Sequence, residues 1–73
     1  MKEGDYVHYK SRHGAVENGR IKSMSPSGET AWVVFHCNNE WDEYMDYTGQ
    51  AADMEDIYEG WADANGNSIH TPE

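Results

Sequence analysis

Thr30 to Cys37, Thr-Ala-Trp-Val-Val-Phe-His-Cys, is the one continuous apolar run in the chain, and weaker alternating stretches and turn signals flank it. β-Branched and aromatic residues dominate it, and its length is that of a strand. Alternation puts Ala31, Val33, Phe35 and Cys37 on one face and Trp32, Val34 and His36 on the other. Bulk on both faces predicts the central strand of a small, strongly curved sheet.

The same reading predicts four further strands. Tyr6 to Lys10 alternates, with Val7 and Tyr9 inward and His8 and Lys10 outward. Ser11 to Glu17 has no apolar period and reads as an exposed loop, after which Asn18-Gly19 permits positive φ and Arg20 to Met24 forms a second strand. Ser25-Pro26-Ser27-Gly28 carries the chemistry of a tight turn and makes a hairpin into the apolar run. Trp41 to Thr48 fits either a period of two or a helical spacing of Trp41, Tyr44, Met45 and Thr48; it is read as a loop anchored by Trp41, followed by a strand from about Met45 to Ala52. Asp53-Met54-Glu55-Asp56-Ile57 predicts one helical turn with Asp53 as N-cap and Asp56 at the capping-box position, and Tyr58 to Trp61 a short closing strand. Ala62 to Glu73 lacks apolar content and reads as a frayed tail.

Five short strands, a long first loop, a tight central hairpin and one helical turn before the last strand are the layout of an SH3-like barrel. On Gly4-Asp5-x-Val7, Asn18-Gly19-Arg20-Ile21 and Asp53-x-x-Asp56-Ile57, the chain resembles the Tudor, Agenet and KOW group of small barrels. Tyr47-Thr48-Gly49 and Glu59-Gly60-Trp61 are similar to segments of small phage and prophage proteins with this barrel. The resemblance covers about residues 4 to 61 and implies an all-β, five-stranded SH3-like barrel over residues 1–61 with a C-terminal tail at 62–73. Such barrels bind peptides, nucleic acids and small ligands alike, so the fold alone selects no partner.

Size and charge narrow the picture. A chain of 73 residues holds one domain with one small core. Its single cysteine excludes an internal disulfide framework, and no zinc-type spacing occurs. The start, Met-Lys-Glu-Gly-Asp, carries no apolar signal region, and a reducing cytoplasm is the expected compartment, that of the host cell if the protein is phage-encoded. Net charge is −9 and uneven: all five basic residues lie in the first 22 positions beside three acids, and eleven acids with no Lys or Arg follow from Ser23 onward. That balance disfavours direct binding to nucleic acid or an anionic membrane and can steer the chain toward a basic partner.

Candidate chemistry is then sparse. His36 and Cys37 are adjacent on a strand and point to opposite faces, so they form no nucleophile and base pair. Asp63 to Asn67 lacks the glycine position and the terminal glutamate of a calcium loop, and His8, His13 and His70 are scattered; no metal, cofactor or catalytic residue is expected. Nine aromatics exceed what so small a core can bury. In an SH3-like barrel the loops after the first and third strands share one side, which places Tyr9, Arg12 and His13 near Asn38, Trp41 and Tyr44 as a ligand-binding patch. Such a patch can hold a cation or stack a nucleobase, or Trp41 and Tyr44 can simply plug the barrel end.

Three functions fit, none of them enzymatic. The first is capture of a ligand or host partner by the aromatic patch, for which the phage-type resemblance implies sequestering a nucleotide signal in evasion of host defence. The second is an acidic face of Glu40, Asp42, Glu43, Asp46, Asp53, Glu55, Asp56 and Glu59 that mimics DNA and inhibits a nucleic-acid-binding host protein. The third is a Tudor-like or SH3-like peptide reader. Homo-oligomers through exposed sheet edges are compatible with each.

Overall fold

The computed structural model describes residues 1–72, and all of its sheet strands are antiparallel. β1 (Tyr6–Lys10), β2 (Val16–Met24), β3 (Thr30–Val34), β4 (Gln50–Asp53) and β5 (Ile57–Glu59) form one sheet in the order β4-β3-β2-β1-β5. Two 3-10 helices, η1 (Trp41–Asp46) and η2 (Met54–Asp56), lie before β4 and between β4 and β5. A separate two-stranded ribbon pairs β6 (Trp61–Ala62) with β7 (Ser68–Ile69). The fold is all-β, and among the described residues the two edge strands β4 and β5 do not pair, so the sheet is open.

The central strand is β2, and the apolar run supplies its neighbour. β2 is also longer than Arg20 to Met24, because Asn18-Gly19 is not a turn. The reversal lies earlier, where Ser11 N–H donates to Ala15 O at 2.9 Å and Gly14 takes a φ of +83° that an L side chain rarely adopts. Gly19 is needed for another reason. A Cβ there would stand 2.7 Å from Val33 Cγ1, 2.7 Å from Val34 O and 2.9 Å from Phe35 Cδ1, so only a bare backbone lets β3 cross β2 this closely. The expected Ser25–Gly28 hairpin turn is present, closed by Ser25 N–H to Thr30 O at 2.9 Å and Gly28 N–H to Ser25 O at 3.0 Å.

β3 buries residues on both faces, as its composition predicts, although Trp32 stays exposed. Ala31 and Val33 join Val7, Ile21 and Ile57 in the main core, bordered by Met24, Phe35, Ala52 and Met54. Val34 points the other way yet is equally inaccessible, and Cys37 and Ala62 are buried outside the main cluster. A second, smaller core therefore lies on the opposite face.

Three segments differ from their sequence reading. Trp41–Asp46 takes the helical alternative, as a 3-10 helix kinked at Glu43, which delays β4 to Gln50. The turn at Met54–Asp56 is present, but no side chain caps it: Met54 N–H is satisfied by Glu29 O at 2.9 Å. Residues 61–69, read in part as tail, form the β6–β7 hairpin. Asp63 Oδ1 accepts from the N–H groups of Asn65 at 2.9 Å and Asn67 at 3.0 Å, so polar turn chemistry replaces the missing apolar content. The Asn18 side chain fixes this hairpin to the sheet by donating to Ala62 O at 2.9 Å and accepting from Ala62 N–H at 3.0 Å.

The Gly19→Ala variant is expected to lose about 1–3 kcal/mol of stability, because two of the obstructing atoms belong to packed core side chains and one to backbone. At this size the thermal midpoint should fall by about 4–8 °C per kcal/mol, read by circular dichroism.

Candidate functional site

A single guanidinium organises the second core. Arg20 lies opposite Tyr6 on β1 and Val34 on β3, on the face turned away from Val7 and Ile21. Its Nε donates to Gly4 O and its Nη1 to Trp41 O, both at 2.8 Å. Its Cζ packs over the Tyr6 ring at 4.6 Å and the Tyr44 ring at 4.2 Å from their centroids. Trp61 meets Tyr6 edge-on at 5.7 Å and Trp41 at 4.9 Å, and its Nε1–H donates to Gly19 O at 2.9 Å. Of the two predicted aromatics, Tyr44 gives its ring to a cation, which is the chain's own Arg20, while Trp41 gives only its carbonyl and packs its ring on Trp61.

The other predicted ligand residues lie elsewhere. Tyr9 is on the opposite face of β1 from Tyr6, with its ring edge-on to Phe35 at 6.4 Å. Arg12 and His13 are exposed in the β1–β2 turn. Asn38 is also exposed, and with Asn39 it takes positive φ (53° and 64°), a backbone role at the corner where the chain leaves β3. No hydrogen bond, ion pair or ring contact joins these four to Trp41 or Tyr44 among the described residues. His8 is half-buried rather than outward, stacked on Tyr58 at 5.4 Å with Nδ1 placed 2.8 Å from Gly60 O.

Of the predicted acidic residues, Glu40, Asp42, Glu43, Asp46, Asp53, Glu55 and Glu59 are exposed and Asp56 is partly buried. Seven of them divide between two places, and Glu59 ends β5 apart from both. Glu40, Asp42, Glu43 and Asp46 lie on and just before η1, while Asp53 precedes η2 and Glu55 and Asp56 lie in it. Asp53 and Glu55 share a depression of about 530 Å³ with Gly28, Glu29 and Met54. Glu29 belongs with this group, and only the β2–β3 turn brings it there.

Two further polar contacts hold η1. Lys22 Nζ donates to Tyr47 O at 2.6 Å, and Tyr47 OH donates to Glu40 Oε1 at 2.5 Å. The bond to Glu40, with some burial and the carboxylate's charge, pushes the Tyr47 phenol up to about 12. Cys37 is buried, and its thiol is pushed up chiefly by that burial, while His36 is exposed. Neither position favours a thiolate. No group of three or more His, Cys, Asp or Glu among the described residues can hold a metal ion, and no helix there is long and apolar enough to cross a membrane.

No family model, curated protein or solved structure matches this chain.

Replacing Arg20 by Met should cost about 2–4 kcal/mol, since it removes two charge-assisted hydrogen bonds and the ring contacts. Loss of amide-exchange protection should concentrate at residues 41–47 before the sheet opens. For Tyr47 the fold favours the protonated phenol, so its contribution is complete below pH 10 and lost as pH climbs through about 12. Glu40→Gln should return its titration, followed at 295 nm, toward 10.

Proposed function

We propose that the chain is a non-enzymatic binding protein on an SH3-like barrel, whose acidic surface meets a basic macromolecular partner. The barrel reading is supported by the strand order β4-β3-β2-β1-β5, the bulge in β2 and the three-residue helical link between the edge strands. One observation carries the functional reading. Among the described residues the only ion pair is Lys2 with Asp5, at 3.2 Å, and the acids from Glu29 to Asp63 take part in none. Arg20 and Lys22 are directed at backbone carbonyls instead.

Carboxylates left without cations raise the negative potential around a protein of charge −9, which accelerates encounter with a basic surface and repels nucleic acid. A DNA-binding protein of a host cell, inhibited by mimicry of its substrate, is the kind of partner that fits. A Tudor-like reading of cationic side chains gains less support, since a peptide's cation would have to displace Arg20 from Tyr6 and Tyr44.

A second reading, capture of a small ligand, is favoured by Trp32, which is 38% exposed beside a groove of about 430 Å³. The first reading predicts that a partner captured at low salt loses affinity steeply between about 50 and 200 mM salt. The triple variant D42N/E43Q/D46N should slow association while leaving the thermal midpoint close to wild type. Salt-independent capture, or unchanged association by the variant in surface plasmon resonance, would sink the acidic-face reading.

A further inference from the structure

Every Trp, Tyr or Phe side chain except Trp32 has a ring, cation or hydrogen-bond contact: Tyr6 and Tyr44 with Arg20, Trp61 with Tyr6 and Trp41, Tyr9 with Phe35, Tyr58 with His8, and Tyr47 with Glu40. Trp32 has none of these among the described residues. Its neighbours across the sheet are Ser23 on β2 and Ala51 on β4, both too small to cover an indole. The chain after η1 forms the groove's other wall. Gly49 passes so close that a Cβ on it would stand 3.1 Å from Trp32 Cβ and 3.3 Å from its carbonyl carbon.

The groove also has one charge. The register of β2 against β3 shifts between Ile21 and Ser23, leaving Lys22 as an extra residue, and such bulges redirect side chains. Lys22 lines the groove with Ser23, Trp32, Thr48 and Gly49, and no carboxylate is among these residues. The bond to Tyr47 O holds the ammonium in place and uses one of its three donors, leaving two for a ligand. An aromatic plane, a positioned ammonium and two hydroxyl side chains are complementary to a small ligand with a flat ring and an anionic group. A cation would meet Lys22 without a counter-charge, and a polynucleotide would meet the acidic surface beyond the groove.

We propose that the Trp32 groove binds a small molecule with one flat ring and one phosphate group, of the nucleoside monophosphate class, the ring stacked on the indole and the phosphate on Lys22 Nζ. This rests on the ligand-capture reading and assigns it a site away from Trp41 and Tyr44. Its probe is adenosine 5′-monophosphate, with adenosine and ribose 5-phosphate as controls, followed by two-dimensional NMR of the full chain. The monophosphate should shift the Trp32 indole N–H and the amides of Lys22, Ser23 and Gly49. Trp32→Ala should weaken it by about tenfold or more. Lys22→Gln should make it bind no better than adenosine, and Lys22→Arg should restore the difference, which separates lost charge from a loosened wall. Shifts confined to Arg12, His13, Trp41 and Tyr44 would overturn the groove assignment while leaving ligand capture standing. No shift with any of the three at millimolar concentration would overturn both, and equal binding of adenosine and its monophosphate to wild type would overturn the anionic half.

Discussion

The arrangement of this small protein depends on where one charged group is put. Arg20 sits half-buried on a sheet face, where a guanidinium needs both hydrogen-bond acceptors and compensation for lost water. It finds Gly4 O in the N-terminal turn and Trp41 O at the start of η1, two carbonyls far apart in sequence. The rings of Tyr6 and Tyr44 give it electron-rich faces at the same time. η1 has no buried residue, no side-chain cap and a kink at Glu43, so local propensity does little to keep it helical. Arg20 at one end and Lys22 with Tyr47 at the other tie it down.

That internal use of cations determines the exterior. Backbone carbonyls are neutral, so Arg20 and Lys22 satisfy their donors without cancelling any carboxylate. Asp5 is the exception: burial alone would raise its carboxyl, but the Lys2 N–H and ammonium outweigh this and hold it below the ordinary value. The charge asymmetry along the sequence thus becomes an asymmetry between inside and outside. Folding draws the two central cations inward and leaves most of the acidic residues to water.

Local signals were the legible part of the fold. β1, the start of β3, the Ser25–Gly28 turn and the turn before β5 each follow from composition or from residues with special backbone freedom. What escaped the sequence depends on contacts between distant segments. Gly19 looks like half of an Asn-Gly turn, but its purpose is close approach to Val33 and Val34. β2 is central because both neighbouring strands pair with it, which no periodicity within β3 reveals. The ambiguity of Trp41 to Thr48 was real, because its helical choice depends on Arg20 twenty-one residues earlier. The hairpin at 61–69 is polar, and Asn18 anchors it from another strand.

The site was legible in kind more than in place. An excess of aromatics suggested a patch able to hold a cation, but the rings that meet one are Tyr6 and Tyr44, and that cation, Arg20, comes from a strand that the reading treated only as scaffold. Counting aromatics therefore overstates what remains for a ligand, since each internal pairing removes a ring from consideration. Strand alternation had already separated Trp32 from Ala31 and Val33 and placed it with Val34. Those two same-face residues diverge because the second core closes over Val34, whereas Ser23, Ala51 and Gly49 leave Trp32 38% exposed. A side chain this large and apolar, left open beside a positioned ammonium, is a costlier exposure than a carboxylate in water. Solvation accounts for each carboxylate singly, so the acidic surface bears on function through its unpaired charge as a whole, whereas Trp32 bears on it as a single open side chain.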